Sequence, residues 1–175
     1  MRKTIIVMLS IVASFLSEPF VSSAVEKDFE KYYVDIGYTD IATALIDGQK
    51  HFKTDISLPS KLPGISFTHA FGRLNDLDGE VDDELEFEFL NAKKDQNHFK
   101  ILIKPVQYKE KFEEKNIKQK IKMNNGSEAI YSKSLTGFDT LVFEKNNLQY
   151  ILSMDDSSNL KSSIDSLVEI ANSVK

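Results

Sequence analysis

The residues whose types are most suited to ligand binding or catalysis form an acidic run that begins at Asp76 and ends at Glu84. Alternating carboxylates can surround Ca²⁺ with the oxygen ligands that it prefers. The spacing of an EF-hand fails, however. With Gly79 at the sixth position of such a loop, Leu74 and Leu85 occupy the first and twelfth positions, where carboxylates are required. The sequence therefore favours a solvated acidic loop and leaves open whether this loop binds a cation.

Three histidines could bind a metal ion, but their spacing does not predict a site. His51, His69 and His98 are scattered along the chain, and no two have the i, i+4 spacing that places ligands on one helix face. The chain has no cysteine, which excludes disulfides, thiolate nucleophiles and zinc ribbons. We assign no catalytic, cofactor-binding or metal-binding residue from the sequence, and we expect no cofactor.

Sequence motifs that carry catalytic chemistry are also missing. The sequence contains no G-x-S-x-G elbow, no G-x-G-x-x-G and no phosphate-binding loop. Glycoside hydrolysis needs two acids about 5–10 Å apart in a cleft, whereas the acids here alternate along strands opposite lysines. Asn125-Gly126-Ser127 matches a glycosylation sequon but also fits a tight turn. We therefore expect that the protein is not an enzyme.

Alternation of apolar and charged residues predicts the strands that would position these side chains. Residues 84–90 and residues 98–104 both carry their apolar side chains at odd positions, apart from Leu90 and Leu102. Strict alternation is typical of half-buried strands. The residues between the two segments are polar, so we expect an antiparallel hairpin.

The register of this hairpin follows from the same pattern. It pairs Phe87 with Ile101 on the core face and Glu88 with Lys100 on the other face. Cross-strand pairs of opposite charge help to fix a register. We expect Glu86 and Lys100 to point outward into solvent.

Two further hairpins are predicted from their turns. Asn146 and Asn147 tolerate the positive φ that a two-residue loop requires, and this turn pairs Phe143 with Tyr150. Residues 124–126 form a second turn signal. The predicted strands that accompany these turns, with one more strand upstream, are residues 65–73, 118–123, 127–132, 140–145 and 148–153.

Apolar periodicity predicts two helices. Thr39 or Asp40 can cap a helix that has Ile41 and Leu45 on one face. The chain ends in a second amphipathic helix, whose stripe has helical spacing and needs a partner surface. The residues of this stripe are Leu160, Ile164, Leu167, Ala171 and Val174.

Several tyrosines fall outside these periodic elements. Residues 25–38 form a poorly specified entry segment that contains Tyr32, Tyr33 and Tyr38. The lysine-rich segment from Tyr108 to Lys122 has the weakest pattern, and we interpret it as a flexible excursion whose role is open. Amphipathic tyrosines on irregular segments can form a binding surface. The alternative is that they cover the edge of the core.

The first 24 residues predict a cleavable secretory signal. Arg2 and Lys3 precede an apolar run over residues 4–16, and residues 22–24 supply the small side chains that a signal peptidase requires. The run has 13 residues, whereas a membrane-spanning helix needs about 20. A buried core helix and a retained membrane anchor are the alternatives. We expect a secreted or cell-envelope protein without a membrane span after cleavage.

Residues 25–175 have the size of one domain with its own core. The full chain has 22 basic and 27 acidic residues, and the leader holds two basic and one acidic, so this part carries a net charge of −6. Such a charge disfavours nucleic acid as a partner. We predict a single α+β domain, in which an antiparallel sheet of about six strands carries the C-terminal amphipathic helix on one face, with the N-terminal helix beside it.

The order of segments in the second half resembles a known domain family. The segments are "ISLPSKLP", "ELEFEF", "HFKILIKP", "NNGSEAIY", "TLVFEKNNLQYILS" and "LVEIANSVK". They are similar to an extracytoplasmic domain family of unknown function, found in membrane-anchored anti-sigma-factor-like and sporulation-associated proteins of Gram-positive bacteria. The chain departs from the family pattern at Phe143, where tryptophan is usual, and at Asn147, where glycine is common. The resemblance implies a fold and a compartment but transfers no functional residues.

The expected function is therefore that of an exported, non-catalytic binding or interaction module of the bacterial cell envelope. Its expected partner is a cell-envelope protein or a small ligand, and the oligomeric state is left open. Two alternatives remain. One is a secreted hydrolase whose site is built from loops, and the other is a structural or cation-binding envelope protein.

Overall fold

The computed structural model describes residues 22–76, 83–94, 97–156 and 163–175, and seven antiparallel strands of this part form one sheet. The strands are β1 (His69–Asn75), β2 (Glu84–Leu90), β3 (His98–Pro105), β4 (Ile117–Lys122), β5 (Glu128–Ser132), β6 (Phe138–Lys145) and β7 (Leu148–Asp155). Their order in the sheet is β1-β2-β3-β7-β6-β5-β4. The predicted α+β class is confirmed, and the sheet has one strand more than the approximate count of six.

Both hairpin registers that the sequence predicts are confirmed. Phe87 lies opposite Ile101, and Phe143 lies opposite Tyr150. Between β6 and β7, Asn146 and Asn147 have φ angles of 52° and 61°. These are the positive values that a two-residue hairpin loop requires, and asparagine reaches them at low cost.

The connection between β3 and β4 corrects one prediction. The lysine-rich segment is not a flexible excursion, because it contains β4 and because the part before β4 is held by contacts to the sheet. The Gln149 side chain exchanges two hydrogen bonds with the backbone of Glu110, at 2.8 and 3.0 Å. The Lys109 ammonium pairs with Glu144 of β6 at 2.6 Å. The connection thereby crosses from the middle of the sheet to its β4 edge.

Two helices, α2 (Ile41–Phe52) and α3 (Ser163–Asn172), cover one face of the sheet. We call it the core face. The predicted cap of α2 is confirmed, since the Asp40 carboxylate accepts a hydrogen bond from the Thr43 backbone N–H at 3.0 Å. In α3, Leu167 and Ala171 are buried as predicted, together with Ile170, which the stripe omits. Leu160 of the predicted stripe lies outside the described residues.

Apolar side chains from the core face and the two helices form the main core cluster. Alternate residues of β2, β3 and β7 contribute to it, as their alternation predicts. The largest side chains that are almost fully buried there are Tyr150, Phe87, Phe99, Leu85, Ile101, Ile103, Leu141, Leu148, Leu152, Met154, Leu167 and Ile170.

The opposite side, the outer face, differs from the prediction. Glu86 and Glu88 point away from the core as expected, but they are buried, with exposed fractions of only 2% and 5%. The reason is helix α1 (Ser22–Asp35), which occupies much of the segment predicted to be poorly specified. The Tyr33 ring of α1 stacks on Phe71 at 4.6 Å between centroids. The C-terminal end of α1, which carries Tyr33, therefore shields the outer face of β1 and β2 from water.

Two predicted segments fall largely outside the described residues. They are residues 1–21 of the predicted leader and residues 77–82 of the acidic loop. In the part of the chain that the structure describes, no helix has the length and apolar character needed to cross a bilayer.

Candidate functional site

A groove runs along one end of the sheet, where β1 and β3 finish and where β2 and β7 begin. It consists of two adjoining cavities of about 830 and 580 Å³, and Phe52, Pro105 and Gln107 line both of them. We call it the end groove. The last turns of α2 form one wall, and the segment that follows β3 forms another. The groove extends from the start of β2 to the turn between β6 and β7.

The sequence of α2 brings its C-terminal half close to the sheet. A Cβ atom at Gly48 would lie 2.6 Å from a methyl carbon of Leu85, and one at Gly72 would lie 2.5 Å from the Ala44 Cβ. Side chains at these two positions would push the helix and the strands apart, so the glycines permit the close approach. One turn beyond Gly48, the helix carries His51 to the start of β2.

His51, Asp76 and Asp83 come together at this end of the groove. Asn75 pairs with Glu84 at the last position of the β1–β2 ladder, which places the next residues outward, Asp76 and Asp83, near each other. The His51 Nε2 atom lies 2.7 Å from Oδ2 of Asp83. Asp83 is only 2% exposed. One ligand atom from each of the three side chains lies within 4.8 Å of the other two.

This cluster combines groups with two kinds of chemistry. Imidazole nitrogen and carboxylate oxygen both bind divalent metal ions such as zinc. A carboxylate that is hydrogen-bonded to an imidazole also orients the ring and selects its tautomer, as in general-base catalysis. Asp76 is exposed, so the cluster opens to solvent on one side. It is the candidate metal centre of the described residues.

Charged and aromatic side chains line the rest of this cavity. Asp47 and Lys50 project from exposed positions of α2, and Tyr108 lines the opposite wall. Arg73 also lines this cavity, and its guanidinium lies 4.3 Å from the centroid of the Tyr38 ring on the outer face, within the range of a cation–π contact. The groove therefore offers both signs of charge together with aromatic surface.

A second charged cluster lies on the outer face, where Glu86 contacts two cations. Arg73 Nη2 lies 2.6 Å from its Oε2 atom, and Lys100 contacts its other oxygen. Burial alone would raise the pKa of the Glu86 carboxyl, but the hydrogen bonds from Lys100 and Arg73 outweigh it and lower this pKa to about 2. Glu88 pairs with Lys100 at 3.1 Å and also contacts His98. These acids and bases are paired with one another, so we assign the cluster a structural role.

A third cluster surrounds Asp139 at the start of β6. Its carboxylate accepts hydrogen bonds from the Tyr131 hydroxyl at 2.5 Å and from the Ser163 hydroxyl, and Lys133 lies 3.0 Å away. Burial would raise the pKa of Asp139, but these hydrogen bonds lower it. Burial and the bond to Asp139 raise the pKa of Tyr131 to about 12. Because Ser163 is the first residue of α3, the cluster fixes the start of that helix.

The structure places the histidines and tyrosines considered in the sequence at different locations. His69 packs between aromatic rings beside Phe71, and His98 contacts Glu88, so the three histidines do not form one site. Of the tyrosines, Tyr33 and Tyr38 cover the outer face, whereas Tyr108 lines the end groove.

The sequence does not predict the pairing of His51 with Asp83. The two residues are 32 positions apart, and their contact depends on the way α2 packs against the sheet. The only local signals were the glycine at position 48 and the acidic run itself.

A scan against protein-family models, a search of curated proteins and a search of solved structures each found no match. By its fold and its site, the protein is an α+β domain with a seven-stranded antiparallel sheet among its described residues and an open groove at one end of that sheet.

Proposed function

We propose that the protein is an exported, non-catalytic binding module of the bacterial cell envelope and that the end groove is its ligand site. The observation that carries this proposal is the shape of the groove. Two cavities share Phe52, Pro105 and Gln107 and together follow the end of the sheet. Ligand sites are concave, and the end groove is concave with a lining of charged and polar side chains around a smaller apolar and aromatic part.

The groove suits an elongated polar ligand, of which an extended peptide segment of an envelope protein is the simplest. Such a segment carries charges of both signs, which Asp47 and Lys50 complement on the α2 wall. Phe52 and Tyr108 offer aromatic surface to its side chains. Asn146 and Asn147 line the far end and supply amide groups that can bond to a peptide backbone.

The proposal of export rests on the leader and on the resemblance to an extracytoplasmic domain family. The absence of cysteine is compatible with a bacterial envelope protein that relies on its core instead of disulfides. The main core cluster, in which apolar side chains of the sheet, α2 and α3 are buried together, supplies stability without disulfides.

Site-specific photocrosslinking in the native cell envelope tests the groove. A photoreactive amino acid replaces Lys53, an exposed groove residue, and the matched control replaces Tyr32, which is 59% exposed on α1. We expect a defined crosslinked species from position 53 that mass spectrometry identifies as a peptide segment, and none from position 32. Equal, diffuse products from both positions would contradict groove binding.

A secreted hydrolase is the second candidate, and the observation that favours it is the contact of His51 with Asp83 beside the groove. The two candidates differ in the fate of the ligand. With a binding module, the crosslinked peptide segment is recovered intact. With a hydrolase, the recovered segment is cleaved at the position that lay near His51. The same mass spectra therefore decide between them.

A further inference from the structure

We propose that His51, Asp76 and Asp83 form a binding site for a divalent transition-metal ion of the zinc class. This inference goes beyond the proposed binding function and does not depend on it, because metal binding can be measured without any groove ligand. Its basis is the convergence of three metal-ligating side chains, one from the last turn of α2 and two from the ends of the β1–β2 connection, with one ligand atom of each within 4.8 Å of the others.

The geometry requires only small movements. Zinc bonds to imidazole nitrogen and carboxylate oxygen are about 2.0–2.2 Å long, so two ligand atoms on a tetrahedral ion are about 3.4 Å apart. His51 Nε2 and Asp83 Oδ2 start at 2.7 Å, and Asp76 is an exposed side chain that can adjust. Shifts of about 1 Å bring all three atoms to bonding distance of one ion.

The donor set selects the type of ion. Calcium prefers six to eight oxygen ligands, whereas an imidazole suits zinc, copper, iron and nickel. A site with one imidazole and two carboxylates therefore favours Zn²⁺ over Mn²⁺, and both over Ca²⁺. The burial of Asp83 strengthens its attraction for a cation, because water screens its charge less than at the surface.

Metal binding requires the lone pair of His51 Nε2. A neutral imidazole carries its single proton on either ring nitrogen, so an ion on Nε2 places this proton on Nδ1 and no proton is lost to solvent. The Asp83 carboxylate then binds the ion in place of its contact with His51. Three protein ligands leave the fourth position of a tetrahedral ion open, and two of these ligands, His51 and Asp83, line the 830 Å³ cavity. A water molecule or a donor group of a groove ligand would complete the coordination.

Isothermal titration calorimetry of the purified protein, after treatment with a chelator, tests the site with ZnCl₂, MnCl₂ and CaCl₂. We expect saturable binding of one Zn²⁺ per chain, weaker binding of Mn²⁺ and the weakest of Ca²⁺. A lack of saturable Zn²⁺ binding below about 1 mM would overturn the proposal.

One ligand variant and one matched control test whether Asp76 binds the ion. Asp76→Asn removes an exposed ligand without disturbing the core and should weaken Zn²⁺ binding about tenfold or more. Asp55→Asn removes the same charge from an exposed position that does not line the groove, and its affinity should match the wild type. Equal affinities of these two variants would overturn the proposal.

The imidazole is the ligand that distinguishes zinc from calcium. His51→Gln should therefore lose the preference for Zn²⁺ over Ca²⁺, and circular dichroism confirms that the variant is folded. Retention of the full preference in folded His51→Gln would place the zinc elsewhere. Because none of these titrations contains a groove ligand, their outcome is independent of the crosslinking result.

Discussion

The Nη2 atom of Arg73 lies 2.6 Å from the Oε2 atom of Glu86, beneath the side chains that cover the outer face of the sheet. Alternation along β2 predicts which face Glu86 occupies but also predicts that this face is solvated. The shielding by Tyr33 and Tyr38 changes the energetics of the pair. An ion pair in water contributes little to stability, whereas the loss of one partner from a buried pair leaves an uncompensated charge.

The first prediction follows from this burial. Glu86→Ala should lower the free energy of unfolding by about 3–5 kcal/mol, because Arg73 then loses its paired carboxylate and Lys100 keeps only Glu88. The matched control is Glu144→Ala, which breaks the exposed pair with Lys109 and should cost less than about 1 kcal/mol. Urea denaturation measures both variants. Similar small effects would show that water reaches the Glu86 cluster.

The second prediction concerns acid. The pKa of Glu86 is about 2 in the folded protein against an ordinary value of 4.5, so the unfolded chain binds its proton more tightly. Its stabilising contribution is therefore complete above about pH 4.5 and is lost as the pH falls towards 2. We expect the urea midpoint to fall with pH in this window, and to fall less steeply in Glu86→Gln.

Asp139 acts in the same direction, because its folded pKa is also lowered. The slope in Glu86→Gln should therefore be reduced but not abolished. Identical slopes for wild type and Glu86→Gln would contradict the assigned role of Glu86.

The third prediction concerns the contact between α2 and β1. Gly72→Ala should destabilise the protein by about 1–3 kcal/mol, because the new methyl group would meet the Ala44 Cβ and the Phe87 ring. Ala44→Gly removes the first of these contacts. In the double variant Ala44→Gly/Gly72→Ala, part of the loss should be recovered, and a double-mutant cycle measures this coupling. Strictly additive effects would mean that the helix shifts freely.

The fourth prediction decides whether α3 belongs to the core or is an arm for a partner. Leu167 is fully buried, so Leu167→Ala should cost about 2–5 kcal/mol. Glu169→Ala, two residues away on the exposed side, should cost less than about 1 kcal/mol. Deletion of residues 163–175 should abolish cooperative thermal melting by circular dichroism. A truncated chain with an intact, cooperatively melting sheet would identify α3 as an arm.

The fifth prediction concerns export. The small side chains of residues 22–24 predict cleavage after Ala24, so N-terminal sequencing of protein from the culture medium or envelope should begin at Val25. A matched variant, Ala24→Phe, should block processing because the bulky side chain does not fit the peptidase. Wild-type protein that begins at Met1 in every fraction would contradict export.

Much of the fold could be predicted because its signals are local. The apolar alternation of β2 and β3 defines their hairpin and its register, and Asn146 and Asn147 define the turn between β6 and β7. Asp40 identifies the start of α2. These features depend on neighbours in the chain, which a sequence shows directly. The sequence does not predict the full length of α1, because Phe29 and Tyr33 hold the helix through contacts with His69 and Phe71, about 40 positions away.

By itself, the sequence determined the α+β class, the hairpins β2–β3, β4–β5 and β6–β7, and the core face of β2 and β3, since backbone periodicity dictates which side chains share a face. The tertiary structure decided what lies opposite that face and which distant residues meet. It joins β3 to β7, buries Glu86 under aromatic side chains and brings His51 to Asp83. The physical reason is that burial and the convergence of charges depend on how whole elements pack, and no pattern within one segment encodes that packing.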